Sequence, residues 1–161
     1  TFLAIWIIFY GAIQVLAPKI TAAGPDQSPD GRTARNWGLI LFLTMTLIYL
    51  GLELSILPEA VLVAGLLLFA VVFAVNSSVH SFLIVAYAES DRVSLDVGFY
   101  YMSNAAGRLV GTILSGALFE WTGQGVSGLS ACLIASMVLL VLGRAACTPL
   151  ARAETAHGNG S

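Results

Sequence analysis

Apolar residues fill this chain in five long stretches separated by short polar links. A membrane-crossing helix needs about 20 mostly apolar residues, and the pattern predicts such helices over 1–17, 36–57, 59–87, 97–119 and 126–147. Pro18 closes the first and Pro149 the last. Pro58 is placed as a first-turn proline of the third, and Asp96 as cap and first-turn acid of the fourth. The link from Lys19 to Arg35 is long and polar, and the one at Pro58 is very short. Glu89–Arg92 is short and charged, and Thr122-Gly123-Gln124-Gly125 is a tight turn. The tail, 151–161, is small and polar and reads as disordered and cytoplasmic. The expected fold class is an all-α membrane protein, with residues 1–150 forming five transmembrane helices.

Composition narrows the class. The chain is 58% hydrophobic and 10% charged, against about 25% charged in soluble domains. The seven Lys and Arg are scattered, so no basic run points to nucleic acid. Their placement does carry information. Lys19, Arg32 and Arg35, then Arg92, then Arg144 and Arg152 all fall on one side of the predicted bundle. The opposite turns hold only Glu59 and Glu120. The positive-inside rule puts the first link, the third link and the C-terminus in the cytoplasm of a multi-pass inner (plasma) membrane protein. Thr1 opens directly into an apolar run, with no initiator Met and no cleavable leader. The sequence therefore reads as the C-terminal piece of a longer protein whose N-terminal half is missing. Cys132 and Cys147 fall on one helix about 22 Å apart, beyond disulfide reach. They read as apolar filler, with thiolate capture of a metal or arsenic as the alternative. No metal site or cofactor is expected.

Three spans carry polar residues one helical turn apart, on a shared face. These are Tyr10 and Gln14, then Asn76 and His80 with Ser77 and Ser81 beside them, then Asn104 and Arg108 with Tyr100 a turn further down. At 1.5 Å per residue, Arg108 lies about 18 Å from Asp96 and Asn76 about 17 Å from Tyr87. Both come out near the midplane, with His80 and Asn104 level with each other about 6 Å nearer the cytoplasm. Facing helices would present Asn76, His80, Asn104 and Arg108 to one cavity. Asn and His inside spans also serve as interhelical glue, worth about 0.6–2 kcal/mol each, a reading that applies to Tyr10 and Gln14 as well. Arg108 differs, because an ionised group at bilayer depth costs about 3 kcal/mol on insertion scales and a guanidinium does not deprotonate. It points to an anionic solute, or else to a structural salt bridge with a carboxylate elsewhere. Ser103, Gly107, Gly111 and Ser115 add a small-residue stripe for close helix packing.

No enzyme signature is present. There is no HExxH, no phosphate-cradling Gly-rich loop and no GxSxG, and His80 with its neighbouring serines has no acid to orient the ring. The reading is a secondary transporter and not an enzyme. A membrane-embedded enzyme acting on a phosphorylated lipid, or a non-transporting membrane scaffold, is the alternative of another class.

The alternation of polar, apolar, polar, polar and apolar spans resembles the C-terminal half of a major facilitator superfamily transporter. In that twelve-helix bundle, helices eight, ten and eleven line the cavity, and nine and twelve are peripheral. Asp30-Gly31-Arg32 with Arg35 gives a faint echo of the family's cytoplasmic gate motif. The stretch NSSVHSFLIVAYAESDRVSLDVGFYYMSNAAGRLVGTILSG, Asn76–Gly116, resembles the arsenical-resistance efflux permeases of the ArsJ type, and YGAIQVLAPKI, Tyr10–Ile20, is compatible with them. The resemblance implies export of an organoarsenical, 1-arseno-3-phosphoglycerate, against proton influx. It also implies a functional link to the glyceraldehyde-3-phosphate dehydrogenase that makes the compound. Arg108, Asn104, Asn76, Gln14 and Tyr10 would then bind the small anionic solute, and His80 would carry the coupling proton. Efflux of another organic anion or drug is the alternative within the superfamily.

Overall fold

The computed structural model describes residues 2–21, 29–54, 57–88 and 92–158, and the side chains of all of these except 2–3, 18 and 147–158. These residues form five α-helices: α1 (Phe2–Thr21), α2 (Gly31–Leu54), α3 (Pro58–Tyr87), α4 (Val93–Trp121) and α5 (Gly125–Gly158). No strand occurs among the described residues. Three helical segments are long and apolar enough to cross a membrane, namely Gly31–Leu54, Pro58–Tyr87 and Gly125–Ala146. The fold is therefore all-helical and of a kind compatible with a membrane protein. The apolar part of α1, Ala4–Ala17, is shorter than a span, and α4, although long, is not among the helices apolar enough to cross.

The helix ends differ from the sequence expectation in an instructive way. Pro58 sits in the first turn of α3 as expected, because a missing N–H costs nothing where no intrahelical acceptor exists. α1 runs through Pro18 to Thr21, and α5 runs through Pro149 to Gly158. A proline removes one hydrogen bond from a helix without always ending it. Helix α5 thus extends over most of the segment expected to be disordered, 151–161, of which residues 159–161 lie outside the described residues.

Helix α2 begins at Gly31, not Asn36. The Asp30 carboxylate accepts hydrogen bonds from the Thr33 N–H and the Thr33 hydroxyl, each 2.8 Å, an N-cap that satisfies a free backbone donor. Partial burial opposes ionisation of Asp30. The bonds from Thr33 and from its own backbone N–H, with the charge of Arg32, outweigh that and hold the carboxyl below its ordinary value. Asp96, expected as cap and first-turn acid of α4, lies in its first turn but is not the cap, a position that Arg92 holds without a side-chain bond. The remainder of the polar link, residues 22–28, and the acidic link residues 89–91 lie outside the described residues.

Helix α3 is the centre of the packing. It contacts α1 on one side and α2 on the other, and α2 in turn packs on α5. Its buried residues Ala70, Val72, Ala74, Val75, Val79 and Leu83 fall on more than one face, as a helix with neighbours on two sides requires. On α2 the buried set is a single stripe, Leu41, Thr44, Ile48 and Leu52. Gly65 lets α2 approach, since a Cβ there would stand 2.7 Å from Ile48 Cγ1. The Trp6 indole N–H donates to the Leu66 carbonyl at 2.9 Å and ties α1 to α3. Across α2 and α5, the Ser130 hydroxyl donates to Glu53 Oε1 at 2.7 Å.

Helix α4 is placed differently. It buries no residue. Near its start Asp96, Phe99, Tyr100 and Ser103 share a surface depression with Tyr87 and Ala88 at the end of α3. Near its end it folds back on α5 through the expected tight turn, where Gly123, Gln124 and Gly125 all take positive φ. Gln124, the one side chain in that left-handed set, is held by a bond from its Nε2 to Glu120 Oε2 at 3.1 Å. Gly128 lies against the Phe119 ring, and Cys132 Sγ donates to the Ser115 carbonyl at 3.3 Å. Between these anchors, residues 101–110 are exposed on every face.

Candidate functional site

Helices α2, α3 and α5 line a half-open cavity of about 410 Å³, within the range of small-molecule pockets. Most of its wall is apolar, with Leu41 and Met45 from α2, Phe69 and Phe73 from α3, and Leu139 and Leu140 from α5. Five polar residues break that wall. Asn76 and His80 come from consecutive turns of α3, Arg35 from the first turns of α2, and Arg144 from the far part of α5. Ser136 lies two turns before Arg144 on α5, and its hydroxyl is satisfied by the Cys132 carbonyl at 2.8 Å.

Two local contacts set the chemistry of this wall. His80 Nδ1 lies 2.9 Å from the Asn76 carbonyl, a contact that only the Nδ1–H tautomer or the imidazolium makes as a donor. In the neutral ring Nε2 is then an acceptor, and protonation turns it into a second donor. Asn76 Oδ1 is enclosed and has no hydrogen-bond partner. An unmatched buried acceptor costs about 1–3 kcal/mol.

Arg144 Nη1 donates to the Arg35 carbonyl at 2.9 Å. That bond pins the α5 guanidinium to the first turns of α2, beside the second arginine. No carboxylate among the described residues pairs with either. Asp30, the nearest acid along the chain, uses the same oxygen for both Thr33 bonds.

The sequence-based site residues are thus divided. Asn76 and His80 share the cavity as expected. Asn104 and Arg108 do not join them and lie exposed on α4. The expectation of one cavity holding all four is corrected for the described chain: rise per residue sets depth along a helix, while the face a helix turns toward its neighbours depends on packing that α4 lacks. Arg108 keeps its backbone carbonyl occupied by the Thr112 hydroxyl at 2.8 Å and has no carboxylate partner among the described residues.

Tyr10 packs between Trp6, at a ring distance of 5.7 Å, and Phe73, at 5.9 Å. It touches one wall residue of the cavity from behind, which is a packing role, and Gln14 is half-buried a turn away on α1. Of the small-residue stripe, Gly107 and Gly111 have open space where a Cβ would stand. Ser103 is exposed, and only Ser115 meets another helix.

Arg35 and Arg144 are polar wall residues that the sequence reading uses for orientation and, for Arg35, in the gate-motif echo, but not as part of a site. The signal was present as spacing: Ser136, Leu140 and Arg144 recur every fourth residue, a single face of α5. Among the described residues no group of His, Cys, Asp and Glu is arranged to hold a metal ion. Cys132 is a free thiol, and the Cys147 side chain lies outside the described residues. No protein-family model matches the chain, no curated protein matches it, and no solved structure matches its fold.

Proposed function

We propose that this chain is the solute-handling part of a secondary active transporter that exports an organic anion across the cell's inner membrane, with α4 forming one wall of the path. The observation that carries the reading is Arg108. It stands in the middle of a 29-residue helix, about 20 Å from either end. In a membrane-crossing α4 that would be farther than its side chain reaches to bulk water. Asn104 lies on the same face, and no carboxylate among the described residues neutralises the charge. A guanidinium at that depth is tolerated where it faces protein or a water-filled cavity, and it binds phosphate- or arsenate-like groups through two oxygens at once. The open glycines Gly107 and Gly111 beside it suit a second helix bundle closing over α4, the arrangement implied by the resemblance to major facilitator transporters.

Within that class, the resemblance of Asn76–Gly116 to organoarsenical efflux permeases makes 1-arseno-3-phosphoglycerate the first solute to test, with arsenate resistance as its cellular consequence. The apolar walls of the α2–α3–α5 cavity favour a second reading, a larger organic anion or drug. His80 is the candidate carrier of the coupling proton, because its ring gains a donor on protonation.

The test is export by the full-length protein in everted membrane vesicles. Arg108→Gln, inserted at wild-type level, is expected to lower the rate at least about tenfold, a loss of roughly 1.4 kcal/mol, and Arg108→Lys to restore part of it. Export at the wild-type rate by Arg108→Gln contradicts the anion path. A pH dependence left unchanged in His80→Gln removes the proton role.

A further inference from the structure

Two surface hollows lie side by side where α3 ends and α4 begins. Tyr87 at the end of α3 lines the first, together with Asp96, Phe99, Tyr100 and Ser103 of α4. Arg92, Ser94, Gly98 and Met102 line the second, on the adjoining face of α4. The Phe99 side chain borders both. The hollows carry opposite charge: Asp96 is the one charged residue lining the first, and Arg92 the one lining the second. The Asp96 N–H donates to the Arg92 carbonyl at 3.0 Å, so the two side chains start one helical turn apart.

Each hollow suits a different half of one headgroup. A carboxylate among aromatic rings holds an ammonium group, because the acid supplies the charge and the ring faces add cation–π attraction. Tyr87 and Phe99 are exposed, and Asp96 and Tyr100 are half-buried, so a ligand reaches them from outside. A guanidinium takes a phosphate through two oxygens. Location narrows the choice further. Helix α3 is long and apolar enough to cross a membrane. Its end at Tyr87 then falls at the membrane–water boundary, where lipid headgroups lie and tyrosines collect.

We infer that the α3–α4 junction binds a zwitterionic phospholipid with an ethanolamine head. Asp96 holds the ammonium among Tyr87, Phe99 and Tyr100, and Arg92 holds the phosphate. An ester oxygen and two methylene carbons join the two charges of that headgroup, a reach comparable with one helical turn. A primary ammonium also offers N–H donors to the carboxylate, which a choline head lacks. The site rests on α3 spanning the membrane and does not depend on Arg108 or on transport.

The experiment uses the purified full-length protein in detergent, given equal amounts of phosphatidylethanolamine and phosphatidylcholine with the same acyl chains. Native mass spectrometry reads which lipid stays bound. The wild type is expected to retain the ethanolamine lipid at least about threefold over the choline lipid, the margin of a hydrogen bond to a charged group. Asp96→Asn is expected to remove that preference, and Arg92→Gln to weaken retention of both lipids.

Ser103→Phe fills the first hollow at an exposed position and leaves both charges in place. It is expected to remove the preference as well, which keeps the test open should Asp96→Asn fail to fold. Leu109→Ala, exposed and outside both hollows, is expected to leave the preference unaltered. Equal retention of the two lipids by the wild type would reduce the rings to an interfacial belt and overturn the proposal. A preference that survives both Asp96→Asn and Ser103→Phe would overturn it too, as would retention unchanged in Arg92→Gln.

Discussion

Helices α3 and α4 have nearly the same length, 30 and 29 residues, and both carry small residues at close spacing, yet packing treats them in opposite ways. On α3, Ala70, Ala74 and Val75 are 0% exposed, and Gly65 receives Ile48 so closely that a methyl group would clash. On α4 nothing is buried, and Gly107 and Gly111 face open space. A stripe of small residues therefore permits close approach without producing it, and the neighbour decides whether the permission is used. α3 has neighbours on two sides that match its stripe. α4 is anchored at its ends, and residues 101–110 in its middle stay exposed.

The glycines sharpen that contrast most. Gly65→Ala forces Ile48 to move and is expected to destabilise the purified full-length protein by about 1–3 kcal/mol, the usual cost of overpacking, seen as a lower melting temperature. Gly107→Ala and Gly111→Ala are expected to leave that temperature unchanged or raise it, since alanine favours a helix by up to about 1 kcal/mol. A drop at Gly107 as large as the one at Gly65 would mean that α4 is packed as tightly as α3. A smaller effect is expected at the α1–α3 contact. Trp6→Phe keeps most of the ring stacking and loses the bond to the Leu66 carbonyl, a change of about 1 kcal/mol. An unaltered melting temperature in that variant would show that the bond contributes nothing to anchoring α1.

The smallest effect concerns the start of α2. Because the folded Asp30 carboxyl sits below its ordinary value, its contribution is fully present above the unfolded value near 4. It is lost as pH falls through the lower folded value. Asp30→Ala is expected to cost about 1 kcal/mol near neutral pH, and the gap from wild type should close below about pH 4. Asp30→Asn, which keeps the cap, should remove the pH dependence and little of the stability. A gap that stays constant through that range would contradict the capping role.

How much of this was legible in the residues varies by feature. The Pro58 turn and the Thr122–Gly125 turn follow from local backbone chemistry, and both were anticipated. The i, i+4 spacing of Asn76 and His80 was enough to place them together, because one helix fixes it. The start of α2 is hidden in the sequence because Asp30 sits in a polar link, where nothing local marks its carboxylate as the helix cap it forms. The split between His80 and Arg108 was missed because matched depth says nothing about azimuth. The Arg35–Arg144 end was missed because it is a tertiary juxtaposition: two residues 109 positions apart joined by one hydrogen bond. Their charges were visible, but their meeting was not.

The central claim is that the Asn104–Arg108 face of α4 borders water inside the membrane. The most direct measurement is cysteine scanning of α4 in the full-length protein, with Cys132 and Cys147 replaced by serine and a membrane-impermeant maleimide as the label. Labelling is predicted at positions 104 and 108, in register with one helical face, and weak at Leu109 and Val110. Uniform labelling around the helix, or none at 104 and 108 while the helix ends react, would contradict it.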